Sequence, residues 1–129
     1  AEFRHLDVSD PTTWNDVAFE DFDLVTSSFF VSEIKRIKLG VPAQAFWKAI
    51  LRSVRPGCVV AFNDNNDERI TNYFDRIVAS AGAFETLIDD AEEVSCGDSF
   101  WPVQSYIDRL DHRPRRNGNT AYRVLRKVR

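Results

Sequence analysis

The sequence predicts an α/β fold, a mostly parallel sheet packed by helices, with an antiparallel edge near the carboxyl terminus. Three observations predict it. Short apolar runs such as Cys58 to Phe62 have the unbroken hydrophobicity of strands covered on both faces. They alternate with stretches whose apolar residues recur at three and four, the stripe of an amphipathic helix. The chain then closes on two strand-like runs in succession, with an Asn117-Gly118 turn signal ahead of the last.

The elements follow in order. Phe3 to Val8 reads as a short strand ending in the turn formers Asp7, Ser9, Asp10 and Pro11. Phe22 to Ser28 reads as a second strand that continues into Phe29-Phe30-Val31. Pro42 opens a helix, where proline is best tolerated, and its stripe is Ala43, Phe46, Trp47, Ile50, Leu51 and Val54. Arg55-Pro56-Gly57 stops that helix, and Cys58 to Phe62 follows as a strand. Asn63-Asp64-Asn65-Asn66 ends the strand and supplies an N-cap for a helix near Asp67 to Ala81, with Ile70, Phe74, Ile77 and Val78 on one side. Phe84 to Ile88 and the region of Val94 predict one further strand. Ser99 to Leu110 predicts a short helix, and Thr120 to Val128 predicts the last strand.

At 129 residues the chain is read as one domain, 1–129, long enough for a core without staples. Its 43% hydrophobic and 29% charged residues describe an ordered globular protein, and a net charge of -3 neither requires nor excludes nucleic acid. Cys58 and Cys96 match no metal-ligand spacing, which predicts free thiols in a reducing compartment and no metal site. No run has the length of a membrane span and no signal-peptide pattern is present, so a cytoplasmic or other intracellular location is expected. The start at Ala1-Glu2-Phe3, without methionine, suggests a segment of a longer protein.

Five pieces of the sequence resemble one family. Phe22-Asp23-Leu24-Val25-Thr26-Ser27-Ser28-Phe29, then Leu51-Arg52-Ser53-Val54-Arg55-Pro56-Gly57, then Cys58-Val59-Val60-Ala61-Phe62 look like the fourth motif and fifth strand of class I S-adenosylmethionine-dependent methyltransferases. Ala81-Gly82-Ala83-Phe84 and Tyr122-Arg123-Val124-Leu125-Arg126-Lys127 resemble that family's later turn and last strand. The resemblance implies a partial Rossmann-like three-layer sandwich, the carboxyl-terminal portion of the domain. Two departures stand out. Cys58 replaces the second glycine of the family's Pro-Gly-Gly, and the glycine-rich turn that admits the cofactor is absent, because Gly40, Gly57, Gly82, Gly97 and Gly118 are scattered.

The resemblance also implies roles. Asp7 would accept from the adenine amino group of S-adenosylmethionine while the Val8 amide meets a ring nitrogen; otherwise Asp7 caps a turn. Ser27, Ser28 and Phe29 would line the methyl-donating end of the cofactor, or else simply finish a strand. Asn63 and Asp64 would contact the methyl acceptor, with Asp64 as general base, or form only a cap. The Asp/Asn-Pro-Pro-aromatic form is missing at Ser27-Ser28-Phe29-Phe30, which argues against an adenine-N6 or glutamine methylase, and the Pro-Cys pair of cytosine-C5 enzymes is missing too. His5 and His112 stand alone, and Glu33 reads as a solvated helix start.

Activity is expected only when an amino-terminal half or another subunit completes the site, with weak or no cofactor binding by the chain alone. The rival readings are a catalytically silent interaction module, with homodimerisation as its sign, and RNA or DNA binding through Arg113, Arg115, Arg116, Arg126 and Lys127. Against the last stands the reading of those cations as protection for an edge strand.

Overall fold

The computed structural model describes residues 5–36, 40–95 and 117–129. Two single 3-10 turns, Pro11–Thr13 and Phe19–Asp21, lead into β1 (Leu24–Ser28). There follow α1 (Phe30–Arg36), α2 (Gly40–Ser53), β2 (Val59–Asn65), α3 (Glu68–Ala81), β3 (Phe84–Ser95) and β4 (Asn117–Lys127). The strands form one sheet in the order β1-β2-β4-β3. β1 pairs parallel with β2, and β4 lies antiparallel between β2 and β3. Three strands therefore run one way and β4 alone runs back. This is part of a Rossmann-like α/β fold.

Strand periodicity decides where the helices go. Val60 and Phe62 alternate along β2 and are buried. Phe62 stacks on Phe74 of α3 with ring centroids 4.1 Å apart, and Trp47 of α2 meets the same ring edge-on at 5.9 Å. Phe30 of α1 packs on Phe46 and Trp47, and Trp14 of the first segment packs on Phe46. All three helices thus share one core cluster with Val60, Phe62 and Leu125, on a single face of the sheet. The other face carries Leu24, Val59, Ala61, Val124 and Ile88, and Leu24 is 57% exposed. Of the three layers expected, the described residues supply two.

Several sequence expectations shift. His5 to Val8 form no strand, and residues 1–4 lie outside the described residues. The Asp7 and Asp10 side chains instead accept from the amides of Ser9 and Thr12, local bonds that compete with a sheet ladder. Phe29-Phe30-Val31 does not extend β1, because Phe29 turns to φ 52° and α1 begins at Phe30. α2 opens at Gly40, with Pro42 inside its first turn. β2 runs on through Asn65, so the cap of α3 is Asp67, whose carboxylate accepts from the Arg69 amide. Asn117-Gly118 is strand, paired with Ser95 and Val94, since the length of β3 overrides the local turn signal. The helix expected at Ser99 to Leu110 lies outside the described residues, as do Cys96 and His112.

Lys127 locks the end of this arrangement. Its ammonium donates to the Leu51 carbonyl at 2.7 Å, one of the last carbonyls of α2, and lies 4.8 Å from the centre of the Phe84 ring. Burial pulls the Lys127 pKa below its ordinary value. Arg123 makes a second link, reaching Asp89 of β3 at 2.7 Å and Asp75 of α3 at 3.7 Å. Beside Lys127, Gly82 ends α3 at φ 149°, ψ -166°, a region essentially reserved for glycine, and a Cβ there would stand 2.7 Å from the ammonium. Gly82→Ala is therefore expected to cost about 1–3 kcal/mol of stability, read from urea denaturation.

Candidate functional site

In an open α/β sheet, ligands bind beyond the carboxyl ends of the parallel strands. Here those ends are Ser27, Ser28 and Phe29 after β1, and Asn63, Asp64 and Asn65 at the end of β2. The register sets Ser28 beside Asn63, and the Phe29 amide donates to the Asn63 carbonyl at 2.8 Å. Five of the residues picked from the sequence therefore meet at one edge: Ser27, Ser28, Phe29, Asn63 and Asp64.

Their side chains divide between two faces. Ser28 and Asn63 lie on the face opposite the described helices, in one rung with Tyr122 of β4 and Asp90 of β3. That rung offers a hydroxyl, an amide, a phenol and a carboxylate in a row, a polar border to the apolar rung Ala61, Val124 and Ile88. Tyr122 was legible in the sequence only as part of the last strand; its place opposite Asn63 comes from the strand register. Ser27 faces the helices and is buried, and among the described residues its hydroxyl has no hydrogen-bond partner.

Asp64 also faces the helices and is fully buried. One carboxylate oxygen accepts from the Ser32 amide in the first turn of α1 at 3.0 Å. The other accepts from the Asn65 amide at 2.7 Å. Phe29, by contrast, is 44% exposed. Among the described residues, the Asp64 carboxylate is committed to the backbone on both sides.

Asp7 stands in the first segment. Each hydrogen bond described for it stays within residues 7–13: its carboxylate accepts from the Ser9 amide at 2.8 Å and the Ser9 hydroxyl at 2.6 Å, and its amide donates to Thr13. The Ser9 hydroxyl, then the Ser9 amide, hold the Asp7 carboxyl below its ordinary pKa. This is the turn-cap geometry. Val8 packs half-buried against the core.

Of the cations expected to meet nucleic acid, Arg113, Arg115 and Arg116 lie outside the described residues. Arg126 pairs with Glu85 at 3.2 Å, and Lys127 is buried beneath Gly82. Cys58 is a free, buried thiol whose pKa burial pushes up. Among the described residues no cluster of His, Cys, Asp or Glu could hold a metal, and no helix is long and apolar enough to cross a membrane.

A sheet of this order, with the described helices on one face, is part of a Rossmann-like α/β fold. Comparison with solved structures bears this out. The chain matches a protein from Thermoplasma acidophilum assigned as a methyltransferase, at 13% identity and TM-score 0.50, over 85% of this chain and 43% of that one. It matches the [4+2]-cyclase SpnF at 14% identity and TM-score 0.52, over 95% of this chain and 55% of that one. An arsenic(III) S-adenosylmethionine methyltransferase from Chlamydomonas reinhardtii matches more loosely, at 15% identity and TM-score 0.47, over 95% and 42%. The chain thus spans about half the length of these structures. No family model and no curated protein matches it.

The unpaired hydroxyl gives a direct check. A buried polar group without a partner costs stability, so Ser27→Ala is expected to leave the fold unchanged or to stabilise it by up to about 1 kcal/mol in urea denaturation.

Proposed function

We propose that this chain is the carboxyl-terminal part of an S-adenosylmethionine-dependent methyltransferase domain, competent only when the rest of the domain is joined to it. The observation that supports this most is the arrangement of the described residues: helices on one face of the sheet, an apolar rung with a polar border on the other, and β1 as an uncharged edge. Crossovers between parallel strands are right-handed. The connection from β1 to β2 lays α1 and α2 on one face, so helices on the other face belong to strands wound outward from β1, in the opposite direction. That reversal creates a crevice beside β1, at the point where dinucleotides and related nucleosides bind in open sheets. Ser28 and Phe29 then stand at the crevice, with Asn63 next to them.

In this reading S-adenosylmethionine supplies the electrophilic methyl group. Ser28 and Asn63 offer hydrogen bonds to its polar groups or to the acceptor, and Phe29 offers an apolar wall. The completing half supplies the glycine-rich turn that this sequence lacks, together with the ribose-binding acid. The sheet edges support the same division. β3 carries Glu85, Asp89, Asp90, Glu92 and Glu93 and an irregularity between Thr86 and Ile88, features that block further pairing. β1, Leu-Val-Thr-Ser-Ser, is the other edge among the described strands, and with no charge and no proline its sequence does not block pairing with a further strand.

Calorimetric titration of S-adenosylhomocysteine tests the reading. No tight binding is expected for the chain alone, and binding is expected once the segment that precedes it in the longer protein is restored; a restored protein that does not bind removes the idea. Thr26→Lys, a charge placed mid-way along β1, is expected to weaken the association of the two halves when they are mixed as separate chains, read by sedimentation.

A further inference from the structure

We infer that Asp64 is a positioning residue, a latch that holds the β1–α1 turn in a strained form and so sets where Ser28 and Phe29 stand. The inference deepens the proposed site and rests on that reading for its functional meaning, while the latch itself stands on geometry.

Four observations carry it. Phe29 is a non-glycine residue at φ 52°, a left-handed conformation that its Cβ disfavours. Its large apolar side chain is kept in solvent, although its neighbour Phe30 packs into the core against Phe46 and Trp47. The backbone on either side of the strained residue is tied down: the Phe29 amide donates to the Asn63 carbonyl at 2.8 Å, and the Ser32 hydroxyl donates to the Phe29 carbonyl at 3.1 Å. Finally, the Asp64 carboxylate accepts from the Ser32 amide, joining β2 to the first turn of α1 across 32 residues of sequence.

Strain of this kind persists only where surrounding contacts over-determine it, and it gathers at ligand sites. The alternative conformation is easy to see. With φ negative, the chain would run on as strand, as its apolar run suggests, and carry Phe29 and Ser28 away from the end of β2. Asp64 opposes that by fixing Ser32, so α1 must start immediately after β1. A fully buried carboxylate with both oxygens bonded to backbone amides is suited to hold geometry. Asp64 acts through the turn.

The test compares glycine with alanine at position 29. Both remove the ring, but only glycine relieves the left-handed strain. In the native background Phe29→Gly is expected to melt above Phe29→Ala by about 3–6 °C. The gap is expected to close with Asp64→Ala, where the turn is released, and to narrow only in part with Asp64→Asn, whose one remaining oxygen can still accept from the Ser32 amide. A gap that stays the same in Asp64→Ala overturns the latch. If Asp64→Ala fails to fold, Asp64→Ser, whose shorter side chain cannot span to the Ser32 amide, takes its place and is expected to narrow the gap; an unchanged gap there overturns the proposal equally. In the completed domain, Asp64→Asn is expected to retain S-adenosylhomocysteine affinity within about threefold, and Asp64→Ala to lose about tenfold or more. Equal losses in both variants would assign the carboxylate charge a direct role and also overturn the positioning one. The melting comparison needs no ligand, so it stands or fails independently of the methyltransferase reading.

Discussion

Everything in this fold depends on the alternation of side chains along β2. Val60, Phe62 and Asp64 point to one face, Val59, Ala61 and Asn63 to the other, and each set has a different partner. The first set receives the helices: Phe62 stacks on Phe74 and fixes α3, and Asp64 binds the first turn of α1. The second set is half-buried and aligns with apolar Leu24, Val124 and Ile88 on the neighbouring strands. A one-residue slip of β2 would exchange the two sets, driving the Asp64 carboxylate to the open face and Phe62 into solvent. The period of two is therefore the source of both the core and the geometry of the carboxyl edge.

The parts of the fold that were legible in the sequence are those set by short-range pattern. The stripes of α2 and α3, the apolar run of β2 and the Phe22-to-Ser28 strand all depend on residues within a turn or two of one another. The illegible parts depend on distant pairs. Phe29 looks like the continuation of a strand because its neighbours are apolar; what bends it is an asparagine carbonyl and an aspartate more than 30 residues away, a separation that no local window spans. Asn117-Gly118 carries a strong turn signal and is strand nevertheless, because β3 extends far enough to pair with it. The Asp7 segment errs in the other direction: two aspartates that looked like the end of a strand make their own turns. For the candidate site, the grouping of Ser27, Ser28, Phe29, Asn63 and Asp64 followed from the topology. The division of their side chains between the faces required the register.

Fold and chemistry separate cleanly here. Two structures that share this architecture at 13% and 14% identity are described as a methyltransferase and a [4+2]-cyclase, so the sheet alone does not select the reaction. What it selects is a place. The carboxyl ends of β1 and β2 collect a polar rung, Ser28, Asn63 and Tyr122, beside a solvent-exposed aromatic on constrained backbone. At the amino end of β2 stand the buried Cys58 and the Lys127 lock.

The two edge strands differ in kind. An edge that ends a sheet for good is best charged and irregular, because any flat, uncharged strand invites pairing. β3 meets that requirement with five acidic residues, and two of its carboxylates also hold Arg123 and Arg126 of β4 in place. β1 meets none of it. Leu24 is more than half exposed at its start, and the strand carries no charge. An uncharged edge strand is a hazard for aggregation unless another strand pairs with it. The asymmetry is coherent if β1 is an interior strand of a larger sheet and β3 a true border. On that view the sequence of each strand records its position: charge marks the outside, and its absence marks the seam.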